Sequence, residues 1–161
     1  MLLFLLFYDI LYKNSVPAHE QVIETVGTMD AYQMTSQSLA YLGDSVLEVK
    51  VREYLVKEGL SRSAALNRAA LSFVTAARQS EAVKVILPLM TDEETDVFKR
   101  GKNSHLTPPK SASLNEYKRA TGFECVFGFL YLKGDHARID ELFRIAYGEE
   151  MTHLNDNDRS E

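Results

Sequence analysis

The stretch LAYLGDSVLEVKVRE, residues 39–53, decides how the rest of the chain reads. Leu39, Leu42, Val46, Leu47 and Val49 recur mostly at spacings of three and four, the period of one helix face. Tyr54 and Leu55 continue the stripe and Gly59 offers a stop, so the spacing predicts a helix over 36–58. Gly43 and Asp44 stand in its middle. Glycine inside a helix costs about 1 kcal/mol relative to alanine, which points to a second helix approaching closely there. Asp44 is a poor helix former among apolar neighbours, where an uncompensated charge is penalised. Asp44 and Glu48 share a face, and two carboxylates so spaced suit a divalent cation, which prefers oxygen ligands. The plainer reading of Glu48 is an ion pair with Arg52, four residues further on.

Outward from this stretch the helical period persists. An alanine-rich stripe, Leu66, Ala69, Ala70, Phe73, Val74 and Ala77, predicts a helix over 62–80. A short helix over 80–90 is disturbed at Pro88. Thr91 with Glu94 is a capping box that starts a helix to about Arg100, and Gly101 reads as its end. Residues 102–112, KNSHLTPPKSA, carry two prolines and no period; a loop of this length in a compact domain is usually functional or disordered. Ser113 with Glu116 is a second capping box, opening a helix through Leu132 that Gly134 closes. Asp135 caps a last helix to about Tyr147. There is no strand alternation and no repeat, so the expected class is all-α, a bundle of about six helices.

Composition narrows the function. The chain has 161 residues, room for one compact domain, and its apolar and charged fractions, 45% and 25%, are those of globular proteins. A single cysteine, Cys125, excludes a disulfide framework and a multi-cysteine metal site and suits a reducing compartment; on its apolar stretch it reads as core rather than nucleophile. The four histidines show no ligand-pair spacing. The net charge of −5 excludes a basic nucleic-acid binder by bulk charge alone. Locally the picture differs. Residues 99–119 hold Lys99, Arg100, Lys102, Lys110, Lys118 and Arg119 against Glu116 alone, an excess of five positive charges. Together with Asn103 they suit phosphate contacts. The opening run MLLFLLFYDILY is apolar, but it lacks a basic lead and a cleavage site, and Asp9 interrupts it. Residues 1–28 therefore read as an extension outside the domain, with upstream sequence ahead of a start at Met29 favoured over an added helix or a membrane-surface contact. Residues 29–150 form the expected domain, and 151–161 a disordered acidic tail. No apolar run reaches the ~18–20 residues of a membrane span.

A second acid stands out in TGFECVFGFLYL, residues 121–132, where Glu124 is the only charged group. A lone glutamate there must face solvent, find a cation or keep its proton. On a helix it aligns with Thr121 and Gly128, a face of small side chains with room for a metal and a substrate.

YLGDSVLE (41–48), followed some 80 residues later by FECVFGFLYL (123–132), resembles the catalytic domain of the ribonuclease III family. RGKNSHLTPPKSASLNEYKRATGFE (100–124) resembles its small bacterial branch, Mini-ribonuclease III, over roughly residues 29–150. The resemblance implies an all-helical homodimer in the cytoplasm that cuts double-stranded RNA with Mg²⁺, Mn²⁺ being a substitute. Products with 5′-phosphates and 3′-hydroxyls are implied, as is a role in maturing the large-subunit ribosomal RNA precursor. It puts the catalytic and metal-binding acids on Asp44 and Glu124, with Glu48 auxiliary. RNA contacts are expected from Arg100, Lys102, Asn103, Lys110 and Lys118. Residues 39–49 and 126–132 are candidates for the dimer interface, intramolecular core being the alternative. Gln37 and Thr121 stand where the longer enzymes have acids, which motivates a second reading: a non-cleaving RNA-binding or scaffold protein on the same fold.

Overall fold

The computed structural model describes residues 30–104, 113–148 and 151. The expectations for residues 1–28, for the loop around Lys110 and for the acidic tail beyond Met151 lie outside the described residues. The chain divides into two compact units, Met1–Gln33 and Met34–Glu161. Of the first, residues 30–33 are described: a single 3₁₀ turn, Ala31–Gln33, closed by the Gln33 N–H on the Asp30 carbonyl at 2.8 Å.

Among the described residues the second unit is all-α. Its helices are α1 (Ser36–Lys57), α2 (Ser63–Val74), α3 (Ala76–Ile86), α4 (Asp92–Lys102), α5 (Leu114–Leu132) and α6 (His136–Ala146), with a 3₁₀ turn at Leu87–Leu89. None is long and apolar enough to cross a membrane. The boundaries follow local chemistry. Both capping boxes form: Thr91 Oγ1 accepts from the Glu94 N–H, and Ser113 Oγ from the Glu116 N–H, each glutamate returning to the cap's own N–H. Asp135 caps α6 by accepting from the Arg138 N–H at 3.0 Å. α1 and α5 both end in a left-handed glycine, Gly59 (φ +91°) and Gly134 (φ +73°). In each case the glycine N–H and the next N–H bond back onto the last turn, the pattern of a Schellman cap.

Two boundaries differ from the sequence reading. The predicted helix over 62–80 is two helices, broken at Thr75, whose backbone is extended (ψ 146°) and whose hydroxyl caps α3 by accepting from the Arg78 N–H. A threonine hydroxyl competes for backbone donors, and the alanine-rich run around it concealed the break. Gly101 does not end α4, which runs on to Lys102. That glycine serves packing: a Cβ there would lie 2.6 Å from Cys125 Sγ and 2.9 Å from Gly122 Cα.

α5 is the centre of the unit. Every residue from 120 to 130 except Glu124 is buried, because α1, α3, α4 and α6 all pack on it. Phe123, Phe127 and Phe129 are buried almost completely, and each such side chain contributes roughly 1.5–3 kcal/mol on leaving water. Tyr147 at the end of α6 joins this core, its ring centroid 5.3 Å from Phe73 and its hydroxyl donating to the Phe73 carbonyl at 3.1 Å. Glu94, a buried charge, takes two bonds from Arg138, at 2.9 and 3.0 Å, which tie α4 to α6.

The tightest contact is between α1 and α5. A Cβ at Gly43 would run into the Glu124 carbonyl and lie 2.9 Å from the Gly128 nitrogen. A Cβ at Gly128 would run into the Leu39 carbonyl and lie 3.1 Å from the Gly43 nitrogen. Backbone meets backbone here, so no rotamer change can relieve an added methyl. Gly43→Ala therefore sets two effects against each other: a helix-propensity gain of about 1 kcal/mol and an overpacking cost of about 1–3 kcal/mol or more. Overpacking wins, since the obstacle is rigid. Thermal melting of Gly43→Ala will show a midpoint several degrees below the parent; an unchanged or higher midpoint contradicts the crossing.

Candidate active site

The crossing that requires Gly43 and Gly128 also fixes two acids. Asp44 follows Gly43 on α1, and Glu124 lies one turn before Gly128 on α5. Asp44 opens to solvent, whereas Glu124 is mostly covered. Partial burial, and then the charge of Glu48, raises the Asp44 pKa above its ordinary value. Burial, and then the charge of Asp44, pushes Glu124 up to about 8. A side-chain hydrogen bond from Gln79 on α3 works the other way and favours the Glu124 carboxylate. Burial first and neighbouring negative charge second oppose ionisation of both acids, and a cation shared by them would offset that repulsion.

A divalent metal is the kind of cation that two carboxylates would take. Among the described residues no group of three or more His, Cys, Asp or Glu is arranged to hold one. Magnesium does not need such a cage: it keeps several waters and takes one or two carboxylates plus phosphate oxygens. Two oxygen-bearing acids, both short of positive charge and one of them open to solvent, fit that demand. Glu48 is exposed and pairs with Arg52 at 3.1 Å, so its effect on Asp44 is through charge.

The other expected residues are distributed as follows. Gln37 is exposed on the first turn of α1. Thr121 is buried, and its hydroxyl donates to the Tyr117 carbonyl of its own helix at 3.0 Å. Cys125 is wholly buried, donates to the Ser36 carbonyl at 3.2 Å, and is pushed up to about 12, chiefly by burial; it is core. Arg100 is half-buried and its charge reaches Cys125. Lys102 and Asn103 are exposed at the end of α4, which packs on the α5 turn carrying Glu124. Lys118 is half-buried early in α5. Of the candidate interface stretches, most of 126–132 is interior; Tyr41, Val49, Tyr131 and Leu132 are the exposed large apolar residues. Gln79 was not visible as a functional residue in the sequence. Its only signal is an amide inside the apolar stripe of AARQSEAVKVI, on the face that α3 buries.

Similarity to known proteins places the chain in a family. The Ribonuclease III domain model matches residues 37–135. Mini-ribonuclease 3 of Symbiobacterium thermophilum is 42% identical over 110 residues, 68% of this chain and 85% of that protein. Mini-ribonuclease 3 of Enterococcus faecalis is 38% identical over 117 residues, 70% of this chain and 88% of that one. A crystal structure of a Fusobacterium nucleatum protein superposes with a TM-score of 0.69 at 32% identity, covering 74% of this chain and 93% of that one. With the domain model spanning both acids and these relatives matched over most of their length, the chain belongs to the ribonuclease III family, in its Mini-ribonuclease 3 branch, and is an endoribonuclease.

Proposed function

We propose that this endoribonuclease cuts double-stranded RNA with Mg²⁺ held by Asp44 and Glu124, and that it matures the ends of the large-subunit ribosomal RNA precursor in the cytoplasm. The observation that carries the reading is the pair of acids at the glycine crossing, each raised in pKa partly by a neighbouring carboxylate. When bound, the cation supplies Lewis-acid activation of water and steadies charge on the phosphate. Asp44, the more exposed acid, would hold the cation and orient the attacking water, and Glu124 would be its second protein ligand. Cleavage leaves a 5′-phosphate and a 3′-hydroxyl. Mn²⁺ substitutes, having the same preference for carboxylate and water.

RNA contact falls to Lys102 and Asn103 at the α4 end, with Arg100 on the same helix, Lys118 on α5 and Lys110 outside the described residues. An A-form duplex offers phosphates and 2′-hydroxyls while its deep groove hides the bases, so shape is read before sequence. A duplex has two strands, and the described residues hold one such acid pair. A two-fold dimer answers that mismatch. Tyr41 (82% exposed) and Val49 (61%) lie on the same side of α1. Beside them is a groove of about 190 Å³ lined by Leu42, Val46, Val49, Tyr131, His136 and Ile139. A second copy of the chain is the occupant proposed for this face.

Three experiments test the reading. Asp44→Asn keeps size and removes charge; with a folded precursor RNA it will lose cleavage by at least about 100-fold while duplex binding and melting midpoint persist. Chelating the divalent metal will stop the parent in the same way, and cleavage that survives either treatment refutes the acid pair. Lys102→Ala with Lys110→Ala will weaken RNA binding and reduce the slope of log affinity against log salt by about one to two units; an unchanged slope moves the contact surface elsewhere. Light scattering of the parent will give twice the chain mass and Val49→Lys the single mass, whereas a monomeric parent removes the dimer.

A further inference from the structure

Glu124 needs an outside hand to hold its carboxyl. Its neighbours on α5 cannot do so: the Thr121 hydroxyl is spent on the Tyr117 carbonyl, Gly128 has no side chain, and the rest of 120–130 is apolar but for the Cys125 thiol, which is spent on Ser36. A glutamate has three rotatable bonds, and its terminal torsion is broad. Without a partner it would sample several orientations at the covered side of the crossing. The partner comes from α3. Gln79 is 2% exposed, and its side chain hydrogen-bonds to Glu124.

The backbone that carries Gln79 is itself fixed. Thr75 caps α3, and the adjacent Arg78 reaches the opposite way, to the Ala146 carbonyl at 3.1 Å and over the Tyr147 ring at 5.1 Å. The residue type matters as well. A lysine or arginine at this position would hold the carboxylate by neutralising it and would compete with a metal. An amide donates a hydrogen bond and leaves the negative charge in place. A carboxylate has two oxygens, so one can accept from the amide while the other stays available.

We propose that Gln79 is a positioning residue, whose buried amide on α3 fixes the orientation of the Glu124 carboxyl so that it can share a divalent cation with Asp44. The role rests on the two-acid cation site proposed above. Partners of this kind typically change metal affinity or activity by 10–100-fold when removed.

The test uses the full chain with Mn²⁺ as the probe, its binding read by electron paramagnetic resonance without RNA. Gln79→Met keeps length and volume and removes the amide. It will melt within a few degrees of the parent and bind duplex RNA equally well without metal. Its Mn²⁺ affinity will fall about 10-fold or more, and kcat will fall similarly with KM for RNA unchanged. Added Mn²⁺ will recover part of the rate. Gln79→Leu, a second apolar replacement, will behave alike and serves if the methionine variant does not fold. Parental Mn²⁺ affinity and kcat in whichever variant folds overturns the role of Gln79. Failure of the parent itself to bind Mn²⁺ overturns the cation site instead, so the two failures are distinct.

Discussion

Two helices in this protein touch backbone to backbone, and the touch depends on two missing methyl groups. Gly43 and Gly128 let α1 and α5 approach until a Cβ on either would overlap a carbonyl of the other. Each glycine weakens its own helix by about 1 kcal/mol, and the packing of α5 against four other helices carries that cost. What the close approach gains is position. Asp44 and Glu124 sit beside the contact, so the positions of their backbones are set by packed helices rather than by loops. A site built on helices keeps its geometry more strictly than one built on loops.

The protein treats its covered acids in opposite ways. Glu94 is met by Arg138 in two short bonds and by the Thr91 backbone. Burial opposes its ionisation, but these partners together hold its carboxyl below the ordinary value. Glu124 is met by burial, by a second carboxylate and by a neutral amide, and it rises to about 8. The first arrangement is electrically complete within the chain and fastens α4 to α6. The second has burial and a neighbouring carboxylate against it and only a neutral amide in its favour.

Much of this was legible in the sequence because it depends on local chemistry. The capping boxes at Thr91 and Ser113, the glycine stops at 59 and 134 and the Asp135 cap each involve residues within a few positions of one another, and all form. Asp44 and Glu124 were legible because a charge inside an apolar helix is conspicuous. What was not legible depends on contacts between helices. Gly101 looks like a stop until Gly122 and Cys125 are seen against it. Thr75 looks like part of an alanine-rich helix, though its hydroxyl starts a new one. Gln79 resembles any glutamine on a helix, and its role appears only when α3 is laid against α5. The absence of acids at Gln37 and Thr121 leaves Gln37 in solvent and Thr121 bonded to its own helix.

The covered centre has a consequence for how the chain is made. α1, α3 and α4 all precede α5 in the sequence, yet each buries its apolar face on it. During synthesis these helices leave the ribosome before the helix against which they chiefly pack. The nascent chain therefore carries unsatisfied apolar faces for most of its translation, a stage at which exposed surface invites aggregation and chaperones. The strongly acidic start of α4, Asp92, Glu93 and Glu94, falls within that waiting stretch. Residues 114–146 then supply the helix around which the earlier ones close, and the one that follows it.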